Sequence, residues 1–384
     1  MADNLYEPLG KYIQLCNERN VDCIYGADDL RGINNEGKVF PSKANIIGVS
    51  FHTYKIAHKG YFIYNPARLD IGSISCLQEE TAIFSQMYVV FKVKEDYKDI
   101  LLTEYLCIWL RRKDFFRYVA FINFGSVREM FTYEDMCNVL LPVPPIAEQQ
   151  RIVNEYQTIE RRIINNEALI QKLEETAQTI YHHTFVEGID KENLPEGWRM
   201  GVVKDLGTIV TGTTPSSEHP EYFGKAFMFV TPADYYNYEK YLLVTERGIS
   251  EEGNSQMAKR LIPKESILVT CIGSNMGKIC INKSDCYTNQ QINSIIMDLP
   301  YYKDYAYYYL KSQKEILQGS ATGSSAVPLL NKTQFESIEV VIPTEKLLRN
   351  FSRELSPINK HIKLLSKEII LLKKLLFFLT SKLS

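Results

Sequence analysis

The sequence lacks the features that usually announce an active site. It has no G-x-x-x-x-G-K-[ST] loop to cradle nucleotide phosphates and no G-x-G-x-x-G after a strand, which argues against the common nucleotide-binding frameworks. Histidine is scarce, and His52, His58, His182, His183, His219 and His361 fall in no metal-binding pattern. Eight cysteines (16, 23, 76, 107, 137, 271, 280 and 286) are scattered without a Cys-x-x-Cys pair. They read as free thiols of a reducing compartment, and no metal is expected. Apolar runs such as Leu375 to Leu379 are too short to span a bilayer. The opening MADNLYEPLG has no basic stretch leading into an apolar one, so the expected location is cytoplasmic with no membrane partner. Charge of one sign is not in excess either: 44 Lys+Arg against 46 Asp+Glu leave a net charge of −2, which withholds the basic signature of a nucleic-acid binder.

What is present is enough apolar material, 45% of 384 residues, for two or three ordinary domains. Self-similarity organises it. Gly125 to Pro144 (GSVREMFTYEDMCNVLLPVP) overlies Ser324 to Pro343 (SSAVPLLNKTQFESIEVVIP) at an offset of 199 residues. Each copy runs into a helical pattern. In the first, Ile152, Tyr156, Ile159, Ile163, Asn166, Ile170, Leu173, Ala177 and Ile180 keep the alternating four-three spacing of a heptad seam. In the second, Phe351, Leu355, Ile358, Ile362, Leu365, Ile369, Leu372, Leu376 and Leu379 keep it at the same offset. Such a seam needs a partner helix along its length, and the other copy is the natural one in an antiparallel coiled coil. Charge agrees: residues 144–194 hold 5 Lys+Arg and 9 Asp+Glu, net −4, whereas 344–384 hold 9 and 3, net +6. Asn166 either fixes register or is a tolerated polar position, and Pro357 is expected to kink the second helix or restart it with Ser356 as N-cap.

The expected organisation is therefore a duplicated α/β (α+β) domain, each copy followed by a long helix: 1–143, 144–194, 195–343 and 344–384. Strand-like runs include Ile46–Val49, Tyr61–Tyr64 and Met87–Phe91 in the first half and Phe227–Val230, Ile267–Val269 and Ile295–Met297 in the second. Leu101 to Tyr118 and Tyr301 to Leu317 read as helices. Tyrosines crowd the latter, and part of that stripe is expected in the core and part at a protein interface. Leu375 to Leu379 form a stripe wider than a two-helix seam needs, as though a further helix covered it. Tyr64-Asn65-Pro66-Ala67 is a distant echo of a methyltransferase base-holding loop, but a turn closing a hairpin accounts for it better.

Several motifs stand in a distinctive order: Leu194-Pro195-Glu196-Gly197-Trp198, Leu206-Gly207, Thr211-Gly212-Thr213-Thr214-Pro215-Ser216, Phe229-Val230-Thr231-Pro232-Ala233-Asp234, and Ile272-Gly273-Ser274 before Asn289-Gln290-Gln291. This series resembles the target recognition domain of type I restriction-modification specificity subunits. Pro142-Val143-Pro144-Pro145-Ile146-Ala147-Glu148-Gln149-Gln150-Arg151-Ile152 is similar to that family's entry into its helical spacer. Lys59 to Arg68 and Ser85 to Phe91 resemble its other recognition-domain subtype. The first half lacks a Leu-Pro-x-Gly-Trp start, and the second spacer begins Pro343-Thr344-Glu345-Lys346 without Glu-Gln-Gln.

The resemblance implies a noncatalytic, double-stranded-DNA-reading subunit of a larger enzyme. Each domain would read one half of a split, asymmetric site. Two methyltransferase subunits would bring S-adenosylmethionine, and restriction subunits, when present, would bring ATP and Mg chemistry; this chain would hold no cofactor. The helices would act as a ruler: the seam from 152 to 180 rises about 42 Å, on the order of 12 base pairs. Residues 1–143 hold 16 Lys+Arg against 18 Asp+Glu, and 195–343 hold 14 against 16, so any positive surface is local. Loops where cations meet amides and hydroxyls are the candidates, since Arg and Lys suit guanine and Asn and Gln suit adenine. They are Lys55, Lys59, Arg68, Ser73, Gln86 and Arg128 in the first half, and Thr213, Lys225, Ser274, Asn275, Lys278, Asn289 and Gln290 in the second. The competing readings are a complete one-chain methyltransferase or nuclease, and a coiled-coil adaptor that does not read DNA.

Overall fold

The computed structural model describes residues 6–42, 48–124, 130–236, 240–273, 276–314, 317 and 329–383. Packing divides the chain into one unit of residues 1–163 with 371–384 and another of residues 164–370.

In the first unit, strands β1 (Tyr6–Pro8), β2 (Ile13–Leu15), β3 (Arg31–Ile33), β4 (Val39–Pro41), β5 (Lys55–His58), β6 (Phe62–Tyr64), β7 (Ile74–Cys76), β8 (Thr81–Phe84) and β9 (Val89–Val93) precede helices α1 (Thr103–Leu110), α2 (Lys113–Asn123) and α3 (Tyr133–Asn138). Strand β10 (Leu140–Pro142) leads into the long helix α4 (Ile146–Phe185). The main sheet runs β2-β9-β6-β7, with β3–β4 and β5–β8 as separate ribbons. Phe62 stacks on Phe91 across it, ring centroids 5.0 Å apart, and Tyr105, Leu106, Trp109 and Leu110 of α1 fill the same core. The single helix expected over 101–118 is broken at Arg111-Arg112. The Arg111 guanidinium is anchored on the Gly72 and Ile74 carbonyls at 2.7 and 3.2 Å, and Arg112 turns extended to lay its own guanidinium over Trp109 at 4.2 Å. Of the expected Ile46–Val49 strand, Ile46 and Ile47 lie outside the described residues. Asn65 and Pro66 sit in the β6–β7 connection, where the Asn65 N–H donates to the Ser73 carbonyl at 3.0 Å, as a hairpin-closing turn should.

The second unit contains β11 (Arg199–Val202), β12 (Gly207–Thr211), β13 (Phe223–Val230), β14 (Tyr241–Leu242), β15 (Arg247–Ile249), α5 (Glu251–Met257), β16 (Ile267–Thr270), β17 (Ile279–Asn282), β18 (Cys286–Thr288), β19 (Ile292–Met297), α6 (Tyr302–Ser312), α7 (Lys332–Glu336) and β20 (Glu339–Ile342). The long helix α8 (Glu345–Ser381) follows. One sheet runs β12-β19-β16-β17-β14 and another β15-β13-β18. The duplication is visible at the exit of each globular part: β1 pairs antiparallel with β10, and β11 pairs antiparallel with β20, each just before a long helix.

The helices pair antiparallel. In the second unit Phe185, at the end of α4, packs on Phe351, near the start of α8, with ring centroids 4.9 Å apart. In the first unit Ile152, Val153 and Tyr156 of α4 share a core with Leu383. Ile163, Ile170, Phe351, Leu355, Ile362, Leu365 and Ile369 are buried, while Ile152, Ile159, Ile358, Leu372 and Leu376 are half-buried. Towards the end of α4 the deepest stripe departs from the heptad: Glu174 and Tyr181 are buried, and the expected Leu173 and Ile180 only half so. Asn166 is buried within the seam. Helix α8 runs unbroken through Pro357, so no restart at Ser356 occurs. Pro357 and Arg353 lie on the solvent side, where water can serve the Arg353 carbonyl that a proline leaves without an N–H.

Gln149 explains one departure between the copies. Its buried amide donates to the Ile100 carbonyl at 2.7 Å and the Pro144 carbonyl at 2.8 Å and accepts from the Leu102 N–H at 2.9 Å. The equivalent position 199 residues on is Leu348, fully buried. A hydrogen-bonded anchor in one copy is an apolar one in the other.

Candidate nucleic-acid interface

In the first unit the β5–β8 register pairs Lys55 with Phe84 and His58 with Thr81. Gln86, exposed in the turn just past Phe84, therefore lies toward the Lys55 end of the ribbon. Arg19 bridges to Lys55 through the backbone there, and its guanidinium donates to the Thr53 carbonyl at 2.8 Å. Burial, then the nearby Arg19 charge, pushes the Lys55 ammonium below its ordinary pKa. The exposed Arg19 and the half-buried Lys55 set two cations side by side, a pair relieved by an incoming anion such as a DNA phosphate.

The remaining first-unit candidates do not join this cluster. Lys59 follows the opposite end of the four-residue strand, about 13 Å away, and pairs with Glu80 at 2.9 Å. Arg68 is exposed in the β6–β7 loop. Ser73 corrects the expectation of a surface hydroxyl: it is 0% exposed and donates to the Ile33 carbonyl at 3.2 Å, leaving no group for a base. Arg128 lies outside the described residues.

The second unit gathers its candidates better. Antiparallel β12, β19, β16 and β17 bring residues 212–214, 271–273, 276–278 and 289–291 to one end of the sheet. The Gly212 N–H donates to Ile292 at 3.1 Å, Thr213 N–H to Thr288 at 2.9 Å, and Cys271 N–H to Gln291 at 2.8 Å. Gly212 is required by close approach, because a Cβ there would stand 2.2 Å from the Thr288 hydroxyl. Thr213 and Gln290 are exposed at this edge. Lys278 is half-exposed at the root of its loop, where its carbonyl accepts from the Thr270 N–H at 2.9 Å. Asn289 is a scaffold rather than a reader: it is 9% exposed, its amide donates to Gln291 Oε1 at 3.0 Å, and its oxygen accepts the Gln291 N–H at 3.1 Å. Lys225 is exposed on the irregular stretch of β13 between Phe223 and Phe227. Ser274 and Asn275 lie outside the described residues.

Sequence reading missed Arg19, Thr214 and Arg260. The Arg260 guanidinium donates to the Thr211 carbonyl at 3.1 Å, beside the clustered loops. Only Thr214 carried a signal, its place in the Thr-Gly-Thr-Thr-Pro-Ser run.

The densest charge in the second unit is internal and serves positioning. Lys240, 1% exposed, donates to Tyr308 Oη at 2.9 Å and to Asn359 Oδ1 of α8 at 2.6 Å. It faces Glu174 of α4 at 3.7 Å and Asp304 of α6 at 3.9 Å. Lys311 reaches Glu174 at 2.9 Å, and Tyr308 donates to the same carboxylate at 3.0 Å. Burial alone would raise the Glu174 pKa, but Lys240, Lys311 and the hydrogen bonds outweigh it and hold the carboxyl below its ordinary value. One cluster thereby ties α6 and the Lys240 loop to both long helices. Most of the tyrosine stripe belongs here: Tyr301, Tyr305, Tyr307, Tyr308 and Tyr309 are buried, as expected of its core part, and Tyr302 is the member left half-exposed. By contrast Leu375, Phe377 and Phe378 of α8 remain exposed.

Among the described residues no group of three or more His, Cys, Asp or Glu is placed to hold a metal ion, and no helix is long and apolar enough to cross a membrane.

The family described as the type I restriction modification DNA specificity domain matches residues 17–175 and again 195–381. The chain is 24% identical to the type I restriction enzyme HindI specificity subunit of Haemophilus influenzae, with 83% of this chain and 86% of that protein covered. It is 30% identical over 189 residues to the MjaIX specificity subunit of Methanocaldococcus jannaschii, covering 48% of this chain and 43% of the relative. The solved type I restriction-modification S subunit from M. genitalium superposes with a TM-score of 0.58 at 14% identity, covering 100% of this chain and 97% of that one, a likeness of fold.

Proposed function

This chain belongs to the family of type I restriction-modification DNA specificity subunits, noncatalytic in themselves, and on that premise we propose that its two units each read one half of a split, asymmetric double-stranded DNA site. The observation that carries the reading is the duplication itself: two matches to one recognition domain, each ending in a long helix of an antiparallel pair. In the second unit the reading edge is the three-loop cluster with Thr213, Lys278 and Gln290. In the first it is the Arg19, Lys55 and Gln86 end of the β5–β8 ribbon, with Lys59 and Arg68 as outlying phosphate contacts. Lys225 would add a phosphate contact to the second. Phosphate contacts position and base contacts specify, so a domain of near-neutral net charge needs only a local positive edge when partners share the nonspecific affinity.

The paired helices set the distance between half-sites, and two methyltransferase subunits dock on them, with the exposed Leu375, Phe377 and Phe378 stripe as one contact surface. Those subunits supply S-adenosylmethionine and adenine methylation; restriction subunits, where present, supply ATP- and Mg-dependent cleavage. The test is methylome sequencing of cells expressing this chain with its methyltransferase partner, beside a deletion of residues 195–343. A split motif that the deletion changes or abolishes supports the two-reader function. Partner methylation that ignores this chain refutes it and favours an adaptor.

A further inference from the structure

Resting on the reading of the second unit as a half-site reader, we propose that Thr214 determines specificity by occupying the carbonyl oxygen of Gln290, so that Gln290 meets DNA as a hydrogen-bond donor. The Thr214 hydroxyl donates to Gln290 Oε1 at 2.8 Å. Gln290 is exposed at the loop edge, and its Nε2 group is left as the free end of the amide. Its neighbour Asn289 has both ends of its amide committed to Gln291. Gln290 is thus the residue of this pair with polar atoms to offer a base.

Thr214 is held where it can do this. Pro215 restricts it to extended backbone. The preceding Thr213 N–H is tied to the Thr288 carbonyl at 2.9 Å, and Gly212 is pressed against Thr288 and Asn289 so closely that no side chain fits between them. The hydroxyl therefore rides on the same scaffold as the residue it orients.

The consequence is chemical. A free glutamine can set one of its two N–H groups and its Oε1 against a base, and so pairs bidentately with adenine N7 and N6 in the major groove. With the Oε1 end of the amide held on Thr214, its two N–H groups are the end left to meet DNA, and they suit the paired acceptors N7 and O6 of guanine. Adenine then offers only N7, and the N4 amino group of cytosine offers no acceptor. Thr214 thereby converts an adenine-reading amide into a guanine-reading one.

The experiment uses the full chain with its methyltransferase partner and reads the methylated motif together with binding selection from randomised DNA. At one base pair of the second half-site, Thr214→Val is expected to move preference from guanine toward adenine by about tenfold. Thr214→Ala gives the same shift and guards against a folding defect caused by the valine methyl. Thr214→Ser, which keeps the hydroxyl, retains the wild-type preference, and Gln290→Ala flattens the same position, with the first half-site unchanged throughout. The proposal is overturned if the valine and alanine variants keep the wild-type preference, if serine behaves like valine, or if the position altered differs from the one lost in Gln290→Ala. A wild-type chain that selects no split site at all overturns instead the half-site reading beneath it, a separately recognisable outcome.

Discussion

Removing the Glu174 carboxylate should strand a buried cation. In Glu174→Ala, Lys240 keeps its bonds to Tyr308 and Asn359 and its distant partner Asp304 at 3.9 Å, but loses the carboxylate at 3.7 Å. Breaking a buried pair by removing one partner costs about 3–5 kcal/mol. The remaining contacts place the expected loss at the lower end, about 3 kcal/mol, which moves a urea midpoint down by roughly 1–3 M. The two tryptophans allow the second unit to be followed alone, since Trp109 belongs to the first unit and Trp198 lies 6.1 Å from Phe185 in the second. Urea unfolding of full-length Glu174→Ala in a Trp109→Phe background reads it. Glu174→Gln adds a pH test. The folded-state pKa of Glu174 lies below its ordinary 4.5, so its contribution is complete above pH 4.5 and is lost as pH falls through the lowered folded value. The stability gap between wild type and Glu174→Gln should therefore be constant near neutrality and close in acid. A loss under about 0.5 kcal/mol for Glu174→Ala, the range of an ordinary surface substitution, would refute the clamp.

Three further outcomes follow from other parts of the molecule. Gln149→Ala leaves two carbonyls and one N–H without their partner and should cost about 2–4 kcal/mol, read from Trp109 fluorescence in a Trp198→Phe background; an unchanged midpoint would remove its anchoring role. Arg19→Ala and Lys55→Ala should each weaken DNA binding by the assembled complex across all sequences and reduce the salt slope by about 1, measured by titration at several salt concentrations. Inserting one heptad in both long helices should widen the unread gap of the methylated motif by about 3 base pairs; an unchanged gap would dismiss the ruler.

The duplication, the long helices and the family were legible because they are properties of order and period, which survive in sequence. The offset of 199 residues between Ile152 and Phe351 needs no knowledge of packing. What escaped depends on direction in space. Heptad reading takes apolar residues as buried and so chose Leu173 and Ile180, whereas Glu174 and Tyr181 go inside because Lys240 and α6 press on that face. Ser73 and Gln290 are both polar residues in turn-rich contexts, yet one donates inward to Ile33 and the other stands at a loop edge. Nothing in their immediate neighbours tells them apart. Lys240, the most consequential cation of the second unit, looks like any loop lysine until Glu174, Asp304 and Asn359, far away in sequence, are brought around it.

The antiparallel course of α4 and α8 also sets an order of events during synthesis. The first unit includes residues 371–384, and Leu383 packs against the same core as Ile152, Val153 and Tyr156. Every residue of the second unit, 164–370, is translated before that segment. The unit begun first is therefore completed last: its apolar seam stays uncovered while the ribosome makes the whole of the other. A stop codon at position 371 would leave the second unit whole and strip the first, begun hundreds of residues earlier, of its closing segment 371–384.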